Sequence, residues 1–188
     1  MQRAQQKLQL LHSHIPPSCT AATTATDLLK EWDYGDYEWL RSSESWKQVP
    51  GGKWDIWTDG CLGGESPQQV EARCGRLIEE IKERWHRHGL EGKGKGDVIC
   101  AAHGHLLRAF ATRWIGRRLS EGVPLVLEAG GVGTLSYGHG NIGEPAILLG
   151  GAFVVGDEGA IASTKRGSAS TQRGGHSPER RGWCSWCN

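Results

Sequence analysis

VICAAHGHLLRAF, residues 98–110, changes character halfway along. Val98 to Ala102 is a short unbroken apolar run, suited to a strand buried on both faces. From His105 to Ile115 the apolar residues recur at helical spacing instead, and Gly116 follows as a stop. His103 and Gly104 sit at the join. A strand that hands over at once to a helix puts its last side chains where open α/β sheets bind ligands. The free N–H groups and dipole of the helix favour an anion there, and Gly104 lets the backbone approach closely. These residues alone leave two readings of His103. Its imidazole either faces a bound oxyanion, or it merely caps the helix or hydrogen-bonds inside the turn.

Upstream lies the clearest helix. Ser66 suits its N-cap, Pro67 its first position and Gln69 the back-reaching arm of a capping box. Val70, Cys74, Leu77, Ile78, Ile81 and Trp85 then recur on one face, and Gly89 reads as a left-handed stop. Downstream, 133–137 and 146–151 read as two strands separated by a glycine-rich turn. Residues 2–12 form an amphipathic helix with Ala4, Leu8 and Leu11 on one side, and 13–26, holding Pro16 and Pro17, a loop. The stretch 31–64 carries Trp32, Trp39, Trp46, Trp54 and Trp57 among glycines and acids. An aromatic load of that kind in a long excursion points to function rather than disorder. The order of elements predicts an α/β domain over 1–159. At 160–188 the composition turns to Ser, Gly, Arg and Thr, which predicts a disordered basic tail.

The chain of 188 residues suits one domain, with ordinary apolar (37%) and charged (23%) content. A net charge of +1, with no basic stripe ahead of the tail, gives no footprint for nucleic acid. No apolar run reaches the roughly 20 residues of a membrane helix, and the N-terminus lacks a secretory pattern. Six scattered cysteines read as reduced thiols of a cytoplasmic protein. Cys184 and Cys187 have redox-motif spacing but no helix after them, so they read as a chance pair.

With its flanks, VICAAHGHLLRAF resembles the second-histidine motif of the histidine phosphatase superfamily, the phosphoglycerate mutase-like enzymes. DLLKEWDYGDYE (27–38) resembles the segment carrying that family's acid, and CLGGESPQQVEARCGRLI (61–78) its loop-then-helix. GGVGTLSYGHGNIGEPAILLGG (130–151) is similar to its closing strands, and QRAQQKLQLL (2–11) to an early helix. The pattern spans about residues 2–155 and is similar to the fungal sedoheptulose-bisphosphatase-like branch.

The resemblance implies a three-layer sandwich, a mostly parallel sheet with helices on both faces. It also implies metal-independent hydrolysis of a small phosphorylated sugar through a phosphohistidine, with no cofactor. His103 would be the second active-site histidine, with Gly104 beside it in the phosphate site, and Glu31 the general acid. Arg3 would clamp the phosphate through its planar fork. Glu65 and Ser66 would stand where the substrate-side loop meets the helix. A mutase uses the same parts; the WDYGDYE similarity favours the phosphatase, and a non-catalytic phosphate-binding remnant is the reading from another class. The family's nucleophile is a histidine in an R-H-G motif ending the first, central strand, and the resemblance begins past that point. Arg87-His88-Gly89 repeats the tripeptide but ends a helix rather than a strand. The expectation is therefore an N-terminally truncated chain, lacking its first strand, poorly stable and inactive. Trp39 also stands where the family has glycine after its DYE.

Overall fold

A computed structural model describes residues 2–14, 22–40, 53–94, 96–149 and 184–187. Half of the expected loop at 13–26 (residues 15–21), the segment around Trp46, and the expected tail apart from Cys184–Cys187 lie outside these residues.

Helix α1 spans Gln2–His14 beside the first strand; Ala4, Leu8 and Leu11 lie on its half-buried side. A single helical turn, α2, covers Ile56–Asp59 and is capped by the Asp55 side chain. Helix α3 spans Pro67–Ile81 and starts as its sequence dictates. Ser66 Oγ accepts from the Gln69 N–H at 3.3 Å, and Gln69 Oε1 accepts from the Ser66 N–H at 2.8 Å. Its inward stripe buries Val70, Cys74, Leu77, Ile78 and Ile81. The helix does not stop at Gly89. It passes through a π-helical stretch, Lys82–His86, and a final turn, Arg87–Leu90, and the left-handed glycine is Gly92 at φ +70°. Leu90 packs against the core, so continuing past Gly89 covers apolar surface that a stop would leave wet.

Strand β1 is Val98–Ala101. Cys100 is buried while Ile99 is 44% exposed, so only one of its faces is sealed, rather than the two that its apolar run suggested. Alternation of side chains across a pleated strand makes this visible residue by residue. Helix α4, Gly104–Trp114, follows and buries Leu106, Leu107, Ala109, Phe110 and Trp114, and it packs against α3. Strand β2, Thr134–Tyr137, is buried along its whole length and pairs antiparallel with β3, Pro145–Leu148.

The sheet order is β1-β4-β2-β3, where β4 is Cys184–Cys187. β4 runs parallel to β1 and antiparallel to β2. The α/β class is therefore present as mixed helix and sheet, but among the described strands one pairing in three is parallel. That corrects the expectation of a mostly parallel sheet. A tight turn such as 138–144 can join only antiparallel neighbours, because a parallel return needs a crossover of a dozen or more residues.

Candidate active site

His103 occupies the N-cap position of α4 with extended backbone (φ −124°, ψ 158°), yet its side chain makes no capping hydrogen bond. That removes side-chain capping of α4 as the use of the ring. The imidazole lies beside a carboxylate: Nδ1 of His103 is 3.8 Å from Oε2 of Glu31. Both side chains keep about a quarter of their surface accessible, so a ligand can reach them.

Glu31 comes from the irregular segment after a short 3-10 turn, Asp27–Leu29. Its Oε1 accepts from the Trp32 N–H at 2.9 Å and from the Leu106 N–H at 3.3 Å. The second donor is one of the unpaired amides in the first turn of α4, so the helix start already holds an anionic group. Burial pushes the Glu31 carboxyl above its ordinary value. The two amides and the Arg73 and Arg108 guanidinia work in the opposite direction without cancelling it. A carboxyl that keeps its proton more readily than usual, next to an imidazole, is suited to protonating a leaving oxygen.

A second group of side chains walls the same end of α4. Tyr34 Oη and His105 Nδ1 share a hydrogen bond of 2.7 Å. Trp57 meets the His105 ring at 5.8 Å between centroids, and the Arg108 guanidinium lies 5.2 Å from the Trp57 ring. Desolvation, with Arg108 adding to it, pushes His105 down to about 4, so this imidazole is neutral at physiological pH. Burial pushes the Cys61 thiol up to about 11 and leaves it protonated, a poor nucleophile. Sequence reasoning passed over this wall. The signal was present in the spacing: His105 and Arg108, three apart, share a face of the helix that starts at His103.

Glu65 and Ser66 were expected on the substrate side. Ser66 serves as the cap of α3, and both Glu65 carboxylate oxygens bond to Arg73, at 2.9 Å each. Gly104 begins α4 as expected. Arg3 lies within α1, and its side chain is outside the described residues. His88 is exposed on the last helical turn, as its position predicted, while Arg87 pairs with Glu83. The loops carrying Glu31 and Glu65 are in close backbone contact: Asp36 N–H donates to Leu62 at 2.9 Å and Glu65 N–H to Asp33 at 2.9 Å. Among the described residues no group of three or more potential metal ligands occurs, and no helix is long and apolar enough to cross a membrane.

The model of the histidine phosphatase superfamily (branch 1) matches residues 1–144. The chain is 37% identical to a sedoheptulose 1,7-bisphosphatase of Saccharomyces cerevisiae, over 68% of this chain and 61% of that protein. It is 36% identical to an acid phosphatase of Mycobacterium tuberculosis, over 61% of this chain and 52% of that one. The chain thus spans between half and two thirds of the length of these curated relatives. A solved structure of a Mycobacterium tuberculosis open reading frame superposes with a TM-score of 0.53 at 31% identity, covering 69% of this chain and 60% of that one.

Proposed function

The chain belongs to the histidine phosphatase superfamily, and on that premise we propose that the accessible His103–Glu31 pair at the start of α4 takes a phosphorylated sugar as a phosphoric monoester. In this reading His103 donates to the phosphoryl oxygens, and Glu31 protonates the departing alkoxide and afterwards activates water. The observation that carries it is the approach of the Glu31 carboxyl, raised by burial, to the His103 ring at 3.8 Å. Similarity to a bisphosphatase supports a sugar bisphosphate as the class of substrate, and the parental chemistry is hydrolysis through a phosphohistidine.

One observation favours binding without turnover in these 188 residues. Arg87-His88-Gly89 stands on a helical turn, with His88 exposed and Arg87 paired with Glu83, and does not end a strand as the nucleophile motif would. His105 is engaged with Tyr34. We therefore assign to this chain a grip on the phosphate ester and little or no hydrolysis. Titration with sedoheptulose 1,7-bisphosphate, read by thermal shift and by phosphate release, tests both parts. Stabilisation that weakens at least tenfold in His103→Ala, with no phosphate released, is the expected result. Release that depends on His103 would overturn the inactivity, and absence of any binding would overturn the site.

A further inference from the structure

Arg73 is a charge on the apolar stripe of α3, between Val70 and Cys74, and it is only 4% exposed. A guanidinium is buried at that cost only where its donors are satisfied. Here all five are. Nε and one Nη2 hydrogen go to the two oxygens of Glu65 at 2.9 Å each. Nη1 donates to the carbonyls of Leu28 at 3.0 Å and Lys30 at 2.9 Å, and Nη2 reaches the carbonyl of Glu31 at 3.4 Å. Three carbonyls of one short irregular segment thus converge on one rigid fork. Glu65 adds a further tie, since its Oε2 accepts from the Asp33 N–H at 3.1 Å, and its carbonyl accepts from Trp32 Nε1 at 2.9 Å.

We propose that Arg73, locked by Glu65, is a positioning residue for Glu31, holding the segment 28–33 so that the carboxyl meets the start of α4. The inference rests on the reading of Glu31 as the acid, and it adds the means by which that acid is aimed. Glu31 has no regular secondary structure of its own to place it. Its bond to the Trp32 amide is local and travels with the segment, whereas its bond to the Leu106 amide exists only if the segment is held in place.

That difference provides the test. The full chain, labelled with nitrogen-15, is titrated from pH 4 to 8 while the Trp32 and Leu106 amides are followed. Glu31→Gln is subtracted to remove shifts caused by His103 and His105. In the parent both amides should report one shared titration. Arg73→Lys keeps the charge but loses the fork. It should leave the Trp32 response and cut the Leu106 response by at least half, with a cooperative melt retained. An unchanged Leu106 response in folded Arg73→Lys overturns the proposal. If Arg73→Lys does not melt cooperatively, Glu65→Gln is read the same way. If neither folds, the pair is a core support and the proposal also fails. Failure of the acid reading shows elsewhere: sugar bisphosphate binding by the parent would then be the same in Glu31→Gln across this pH range.

Discussion

Acidification from pH 7.5 to 5 should strip stability from this protein by a route that its core makes plain. His86 is fully buried, wedged against Trp114 and Tyr137 with ring centroids 5.6 and 5.5 Å away. Its Nδ1 shares a 2.7 Å hydrogen bond with Tyr137 Oη, and its Nε2 has no hydrogen-bond partner among the described residues. A second ring proton would have no acceptor there, and burial pushes the group down from 6.5 to about 4, with Lys82 assisting and Asp97 opposing. The folded protein therefore refuses a proton that the unfolded chain accepts below pH 6.5. The contribution is intact above pH 6.5 and is lost as pH falls toward 4. At pH 5 the loss from His86 is about 2 kcal/mol. His105 shifts in the same direction; it is half-buried, and with screening its share is about 1 kcal/mol. Glu31 acts with the opposite sign, since burial raises it and the folded state holds its proton more tightly. Urea unfolding at pH 7.5, 6.5, 5.5 and 5.0 in a Glu31→Gln background isolates the histidines. A stability that falls by about 3 kcal/mol, with about two thirds of the fall removed by His86→Gln, is expected. A flat profile, or an unchanged slope in His86→Gln, would refute the reasoning.

Three further outcomes are expected from stability measurements. Ser66→Ala removes one arm of the capping box of α3 and should cost about 1 kcal/mol in urea unfolding at neutral pH; no measurable loss would show that the cap is dispensable. Gly64→Ala would place a methyl carbon 2.2 Å from the Asp33 carbonyl oxygen, so the Glu31 and Glu65 loops must part. More than about 2 kcal/mol should be lost, and the Leu106 amide should cease to sense Glu31. Trp39 is 97% exposed at φ +69°, a conformation costing an L residue about 1–2 kcal/mol. Trp39→Gly sheds that strain against a gain in unfolded-state entropy and should stabilise by up to about 1 kcal/mol. A destabilisation larger than that would mean the indole makes contacts that its exposure denies.

The helices were legible because their signals are local. Ser66, Pro67 and Gln69 specify a helix start by bonds within four residues, and the apolar stripe from Val70 to Ile81 needs only a period. The turn from β1 into α4 followed from a change of pattern at His103. What lay beyond reach was each partnership between distant segments. Nothing local says that Arg73 would collect the carbonyls of residues 28–31, although a charge on an apolar stripe announces that some partner must exist. Nor does it say that His86 would meet Tyr137, or that Cys184–Cys187 would lie between β1 and β2. Periodicity and capping are properties of neighbouring residues along the chain. A buried hydrogen bond between remote segments depends on the folded arrangement that excludes water from both.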